Sequence, residues 1–184
     1  MKRLFLFLLL AACEPVDLVV VDVPDASVFA PPAIPCANTS ECGAGQLCEK
    51  SACGEALGHC VLRPPFCDGD SRPECGCDGV TYWNDCLRRA AGVESRQGRG
   101  PCVNPRACDP TTACPGGALC AQLVFPNECG LTAAGACYVL PQTCVGQQPD
   151  HFFACRDSGM TQCLDACAAI RSGQPAMRFP GPCQ

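Results

Sequence analysis

The stretch CGCDGVTYWNDC, residues 75–86, carries three cysteines around an Asp-Gly turn signal and a short aromatic run. Cysteines at this density serve as metal ligands, as a redox pair or as the crosslinks of a small stapled domain. Asp78-Gly79 followed by Val-Thr-Tyr82 predicts a turn that leads into a strand. Because thiols and disulfides belong to different compartments, the choice among these alternatives depends on where the chain folds.

The N-terminus has the pattern of an export signal. Met1-Lys2-Arg3 precedes an apolar run at residues 4–10, which is too short for a permanent transmembrane helix of about 20 residues. Leu-Ala-Ala-Cys13 then resembles the lipobox of a bacterial lipoprotein, which implies lipidation of Cys13; an ordinary cleaved signal is the alternative. The chain has 21 cysteines, and setting Cys13 aside leaves an even number for ten disulfides. The lipoprotein resemblance implies that an Asp after this cysteine would favour retention in the inner membrane; because residue 14 is Glu, the outer membrane is predicted, with the lipid as the one membrane contact.

Composition argues against several classes of function. The formal net charge of −5 argues against nucleic-acid binding, which draws on basic surfaces. Aromatic residues make up 6% of the chain, so crosslinks are expected to replace much of the apolar core. No nucleophile motif is present, and we predict neither an enzyme nor a cofactor. Cys75-x-Cys77 and Cys163-x3-Cys167 could supply metal thiolates, but an oxidising compartment favours disulfides, so no metal is predicted.

The chain repeats itself after an acidic, proline-rich tether. Residues 36–48 and 108–120 share the pattern C-x2-T-x2-C-x2-G-x-L-C, and both halves end in Gly-Pro-Cys. Such self-similarity predicts a tandem duplication. The predicted organisation is a signal peptide (1–12), a lipidated cysteine and tether (13–35), a first Cys-rich copy (36–102), a linker (103–107) and a divergent second copy (108–184).

Regular structure is expected to be sparse. Leu87–91 and Leu164–170 predict short helices that end at Gly92 and Gly173. The fold class predicted is therefore a small disulfide-rich α+β fold, in which each of two tandem modules has a small antiparallel sheet and one short helix.

The opening stretch resembles a known family. Cys75-x6-Tyr82-x3-Cys86, together with Asp78-Gly79 and the spacing Cys67-x7-Cys75, resembles the Kazal serine-protease-inhibitor module over residues 60–102. Residues 36–60 are more loosely similar to the hairpin that precedes Kazal modules in follistatin-like domains. The family's cysteine shortly after the position of Cys86 is missing here, and Cys77 is an additional one.

The resemblance implies a disulfide pairing. In the first copy it implies Cys67–Cys86 and Cys75–Cys102, with Cys60 taking Cys77 because its usual partner is absent. The divergent second copy is expected by analogy to contain Cys144–Cys167, Cys155–Cys183 and Cys137–Cys163.

The resemblance also implies a substrate-like loop, Asp68-Gly69-Asp70, whose scissile bond would follow Gly69, supported by Arg72-Pro73. Glycine buries no side chain in the specificity pocket of a protease and loosens the loop. The second copy again has glycine, in Val145-Gly146. The leading hypothesis is an inhibitor or weak ligand of an extracellular serine protease that binds through this loop; the alternative is a non-inhibitory binding or structural module of the cell envelope.

Two further groups of side chains have open roles. Arg88, Arg89, Arg96 and Arg99 are expected to form a solvated face, the alternative being contact with an acidic partner or lipid headgroups. Of Tyr82 and Trp83, one is expected to pack under the disulfides, while the other could be an exposed binding aromatic.

Overall fold

The computed structural model describes residues 33–109, 111–124, 134–144, 151–155 and 163–179. The predicted signal peptide, Cys13, most of the tether, Val145, Gly146 and Cys183 lie outside the described residues. Those that are described belong to one compact unit.

Short strands and two short helices make up the described part of the chain. The strands are β1 (Pro35–Cys36), β2 (Gln46–Glu49), β3 (Gly58–Leu62), β4 (Glu74–Gly76), β5 (Thr81–Tyr82), β6 (Ser95–Arg99), β7 (Ala107–Cys108), β8 (Leu119–Ala121), β9 (Leu123–Val124), β10 (Gly135–Val139), β11 (His151–Ala154), β12 (Cys163–Asp165) and β13 (Ala176–Phe179); the helices are α1 (Asp85–Ala91) and α2 (Ala166–Ser172).

Both predicted helices are present and stop at the predicted glycines, but α1 begins two residues earlier than predicted, and α2 begins two residues later because residues 164 and 165 belong to β12. Asn84 and Asp165 cap the N-termini, each accepting a backbone N–H from the first turn. Gly92 and Gly173 follow the last turns in the left-handed conformation, with φ of 75° and 62°. The Asp78-Gly79 turn is present as well, with Gly79 at φ 78° just before β5.

Three sheets hold the strands. Their orders are β1-β3-β2, β6-β4-β5-β10-β7 with β8 also on β10, and β12-β11-β13-β9. Most pairs are antiparallel, but β5 pairs with β10 in parallel, with Thr81 opposite Tyr138. This pairing joins the two predicted copies in one sheet. Arg106 of the predicted linker lies between them, donating to Gly79 O and accepting from the Cys137 amide.

The disulfide-rich α+β fold class is confirmed, and three expected bridges are present: Cys67–Cys86, Cys75–Cys102 and Cys144–Cys167. Two expected pairings are wrong. Cys60 lies on β3 within the hairpin sheet and pairs with Cys42, while Cys77 pairs with Cys53. Cys137 pairs with Cys114 rather than with Cys163. Both errors came from extending the family pairing to Cys60 and Cys137, which instead bond to the second cysteine of the preceding repeat pattern, Cys42 and Cys114.

The same connectivity recurs in the two halves. The remaining bridges are Cys36–Cys48 and Cys108–Cys120, each spanning 12 residues. Cys42–Cys60 and Cys114–Cys137 occupy corresponding positions, as do Cys67–Cys86 and Cys144–Cys167. The repeat of three bridges is what a duplicated sequence is expected to produce. Cys155 and Cys163 are disulfide-bonded too.

Among the residues that the structure describes, buried side chains form three small core clusters. The first surrounds Val80 and Tyr82, the second surrounds Trp83 and Ile170, and the third surrounds Phe152. Tyr82 and Trp83 are both buried, so neither is an exposed binding aromatic. Small clusters of this kind depend on crosslinks for stability.

The prediction of a solvated arginine face is wrong for Arg88. Its side chain is 1% exposed and donates to Glu49 Oε1 at 2.8 Å, to Asp85 Oδ1 and to the carbonyl oxygen of Val93. Since Glu49 belongs to β2 and Asp85 to α1, this arginine ties the N-terminal hairpin to the helix. A second ion pair, Lys50 with Glu94 at 3.1 Å, joins the same two parts.

Replacing Arg88 by Met should therefore lower the free energy of unfolding by about 3 kcal/mol, because Glu49 loses its buried partner and keeps only the half-exposed Arg89. Arg89→Met is the matched control. The Arg89 side chain is 43% exposed, so losing its ion pairs should cost about 1 kcal/mol or less. Urea unfolding with the disulfides intact, followed by the fluorescence of Trp83, measures both. Equal losses in the two variants would contradict the buried tie.

Candidate functional site

The candidate loop is anchored at both ends to the body of the first half. Cys67 is bridged to Cys86 in the first turn of α1. After the loop, the Arg72 amide donates to Trp83 O at 2.9 Å, and β4 begins at Glu74. The residues between these anchors therefore have few conformations open to them.

Asn84 holds the two residues that flank Gly69. Its Nδ2 donates to the backbone oxygens of Asp68 and Asp70, both at 3.1 Å, and to Asp68 Oδ1. Its Oδ1 accepts the Leu87 amide at 3.0 Å, which caps helix α1. One buried side chain thus starts the helix and positions the loop.

Trp83 holds the central residue. Its Nε1 donates to Gly69 O at 2.8 Å, the side chain is 2% exposed, and Gly69 is itself buried. Three successive carbonyl groups, at 68, 69 and 70, are therefore bonded to two consecutive side chains of the body. A buried indole N–H needs such a partner, so the bond stabilises both groups.

The charged side chains of the loop lie on its outer surface. Arg72 lies 3.1 Å from Asp68 Oδ2 and 3.4 Å from Asp70 Oδ2, which agrees with the support role expected of it. All three side chains are exposed, and exposed ion pairs of this kind contribute little to stability. The loop thus presents two carboxylates and one guanidinium to solvent.

A cleft of about 620 Å³ opens beside the loop. Its described wall mixes carboxylates with guanidiniums: Asp68, Glu74 and Asp85 face Arg72 and Arg99. Glu74 accepts from the Ser95 hydroxyl at 2.6 Å, and Asp85 is paired with Arg88. These internal partners leave the cleft without a strong excess of either charge.

The direction of the Gly69 carbonyl decides whether the loop can bind a protease as a substrate does. A serine protease stabilises the transition state through donors aimed at the oxygen of the scissile carbonyl. At the position that the resemblance assigns, this oxygen is Gly69 O, and it is bonded inward to Trp83. The glycine also supplies no side chain for a specificity pocket. As it is arranged here, the loop offers a protease neither of the two groups that substrate-like binding uses.

The tyrosine of the opening stretch is held neutral. Burial, followed by the hydrogen bond to Asp78 Oδ2 at 2.8 Å, raises the pKa of Tyr82 well above its usual range. Burial also raises the pKa of Tyr138. Neutral, buried phenols act as packing groups with a polar tip rather than as acid–base groups at physiological pH.

The cysteines of the stretch 75–86 are structural crosslinks rather than metal ligands or a redox pair. Cys75, Cys77 and Cys86 each belong to a disulfide, so in this state they offer no thiolate to a metal or a redox partner. Two sulfur clusters have atoms within 4.8 Å of one another, at Cys36, Cys42 and Cys60 and at Cys108, Cys114 and Cys137. Their members are disulfide-bonded as well. The stretch is part of a crosslinked frame.

Sequence reasoning identified the loop but not the residues that position it. Trp83 and Asn84 both lie in the stretch 75–86, yet the sequence pattern assigns neither of them to the loop. The Asn-Asp pair ahead of a helical run is an N-cap signal, and it could have identified the first role of Asn84. No family model matches the chain. Across the part of the chain that the structure describes, no helix combines the length and apolarity needed to cross a bilayer.

Replacing Asn84 by Ser should loosen the loop while leaving the helix capped, because serine keeps a side-chain oxygen but loses the Nδ2 donor. We expect the free energy of unfolding to fall by about 2 kcal/mol as buried carbonyls lose their partner, and a broad-specificity protease to cut the native chain within 68–70. Asn38→Ser is the control, since Asn38 caps an exposed turn elsewhere. Equal cutting in both variants would show that Asn84 does not hold the loop.

Proposed function

We propose that this chain is a non-inhibitory, disulfide-stapled binding module of the cell envelope, related by its cysteine spacing to Kazal modules. The observation that carries the proposal is the inward hydrogen bond from Trp83 Nε1 to Gly69 O. This bond uses the atom that an inhibitor would present to the protease. Between the two hypotheses that the sequence left open, it favours the one in which the loop is a structural turn.

The disulfide-bonded structure is suited to a binding module that is exposed to secreted proteases. Proteolysis requires a segment to open into an extended conformation, and closely spaced bridges oppose that opening. Bridges at Cys53–Cys77 and Cys67–Cys86 flank the loop region on both sides. A chain so crosslinked keeps its surface in place in an oxidising compartment.

The surface next to the loop supplies an anchor for a protein partner. Phe66 is 89% exposed and Leu62 is 74% exposed, on the segment that leads from β3 into the loop. Aromatic side chains, phenylalanine among them, are enriched in protein interfaces relative to the rest of the surface. The segment is rigid because Cys67 follows Phe66 directly and is bridged to α1.

A second candidate function is weak binding of an extracellular serine protease through Asp68-Gly69-Asp70. It is favoured by Asn84, which braces the loop on both sides of Gly69, since substrate-like binders depend on a pre-ordered loop. Such binding would have to break the Trp83–Gly69 hydrogen bond. That cost, added to the missing side chain, keeps this function in second place.

An inhibition titration distinguishes the non-inhibitory module from the protease ligand. The full oxidised chain is titrated against subtilisin-, elastase-, chymotrypsin- and trypsin-type proteases. We expect no inhibition and no single cut after Gly69, and we expect Gly69→Leu to change neither result. Gly43→Leu is the matched control, because Gly43 is an exposed glycine on the distant hairpin. Inhibition that Gly69→Leu tightens about ten-fold or more, with Gly43→Leu unchanged, would instead establish the protease-binding function.

The disulfides indicate an oxidising compartment, and the N-terminal lipobox pattern is the basis for proposing a membrane location. Eight described bridges, the three at Cys36, Cys42 and Cys53 among them, indicate folding in an oxidising extracellular or periplasmic environment. Lipidation at Cys13 with placement at the outer membrane extends this proposal, because acyl chains hold a protein stably on a bilayer.

Expression in a Gram-negative bacterium tests the anchor. Cys13→Ser should abolish labelling by a radioactive fatty acid and move the protein out of the membrane fraction. Glu14→Asp is the matched variant, which should keep the label and shift the protein towards the inner membrane. A Cys13→Ser chain that still carries the label would exclude Cys13 as the lipidated residue.

A further inference from the structure

The disulfides of the described chain differ in how far solvent reaches them. Cys53 is exposed, whereas every other described cysteine in a bridge is half-buried or buried. It lies between β2 and β3 and pairs with Cys77, 24 residues further along the chain. Thiol–disulfide exchange requires a thiolate to reach a sulfur of the bridge, and exposed bridges are the more readily reduced ones. Among the described bridges, Cys53–Cys77 is therefore the most open to reduction.

The same bridge joins two parts of the first half. The N-terminal hairpin, residues 33–63, has a sheet of its own and two internal bridges, so it keeps its shape when the bridge to Cys77 is opened. The chain leaves the hairpin through residues 64–66 and is then fixed at Cys67, which is bridged to α1. These three residues are the covalent link that remains after reduction.

Apart from this bridge, ion pairs attach the hairpin to the rest of the described chain. Glu49 pairs with Arg88 and Arg89, and Lys50 pairs with Glu94. None of the three core clusters among the described residues includes a side chain of the hairpin. Opening returns both charges of each pair to water together, so it costs the small net worth of the pair and not the penalty of one charge left buried. The disulfide is thus the attachment on which the closed position depends.

We propose that Cys53–Cys77 is a redox-sensitive link, which a dithiol of the C-x-x-C protein class reduces and so releases the hairpin. One thiolate of the dithiol attacks Cys53 Sγ, the S–S bond breaks, and Cys77 leaves as a thiolate. The second thiolate then attacks the dithiol's own sulfur in the mixed disulfide, and Cys53 leaves in the same way. The two cysteines gain two electrons and the two protons that the dithiol loses, and the dithiol becomes a disulfide. The bridge is the substrate of this exchange and not itself a catalytic pair.

Reduction of this bridge would also change the proposed binding surface. Leu62 belongs to β3 of the hairpin, whereas Phe66 directly precedes the fixed Cys67. Release of the hairpin would therefore alter the distance between these two exposed apolar side chains. This consequence rests on the proposed function, but the opening itself does not, and its test needs no partner.

The order in which the bridges open is the first measurement. The full oxidised chain is treated briefly with dithiothreitol at neutral pH, the freed thiols are trapped with N-ethylmaleimide, and the modified cysteines are identified by mass spectrometry. We expect Cys53 and Cys77 to be modified together and about ten-fold faster than Cys42 and Cys60. Equal rates for these two bridges, or earlier modification of any other described bridge, would overturn the proposal.

Lys50 reports the release of the hairpin. Its side chain is 12% exposed and lies 3.1 Å from Glu94, so acetic anhydride should modify it slowly in the oxidised chain. In a chain with Cys53→Ser and Cys77→Ser together, we expect modification of Lys50 to be about ten-fold faster, because the hairpin opens locally. Trp83, which is 2% exposed in the rest of the first half, should keep its fluorescence in this variant.

Removal of a bridge from the second half is the matched control. Cys108→Ser with Cys120→Ser deletes a bridge outside the hairpin and should leave the rate at Lys50 unchanged. The proposal is overturned if Lys50 stays slow without the Cys53–Cys77 bridge, if the control speeds its modification as much, or if Lys50 becomes reactive only together with a change in Trp83 fluorescence.

Discussion

Two consecutive side chains, Trp83 and Asn84, set the direction of the loop at 68–70, and the candidate site depends on that direction. Their donors bond to three successive carbonyl oxygens, so the loop shows its carboxylates to solvent and its backbone acceptors to the body. The backbone N–H of Trp83 also donates to Val139 O. The residue that turns the loop inward is thus the one that continues the sheet into the second half.

In the part of the chain that the structure describes, crosslinks and a buried ion pair add to the stability that small apolar clusters provide. The hairpin at the N-terminus is joined to the rest by the Cys53–Cys77 bridge and by the ion pair of Glu49 with Arg88. A buried ion pair contributes little net stability over an apolar pair but is costly to break. Together with the disulfide, this ion pair gives the hairpin two separate attachments to the rest of the described chain.

Local features were predictable from the sequence because they are decided by nearest neighbours. The Gly79 turn, the two helices and their glycine caps follow from backbone preferences that act within a few residues. The bridges Cys67–Cys86 and Cys75–Cys102 followed from the resemblance, whose spacing covers that part of the chain closely.

Long-range features were not predictable in the same way. Cys60 pairs with Cys42 and Cys77 with Cys53, an exchange that depends on how the hairpin packs on the body. Arg88 was expected in solvent because its partner Glu49 lies 39 residues earlier. The parallel pairing of β5 with β10 likewise depends on contacts between residues far apart in the chain, which no local pattern encodes.

The hydrogen bond between Trp83 Nε1 and Gly69 O tests the central claim most directly, and nuclear magnetic resonance can detect it. In the isotope-labelled, oxidised chain the single indole N–H gives one resonance. The account predicts a scalar coupling across the hydrogen bond to the carbonyl carbon of Gly69, together with slow exchange of the indole proton. An indole proton that shows no such coupling and exchanges at the rate of an exposed tryptophan would contradict it, and the loop would then be free to present its carbonyl to a protease.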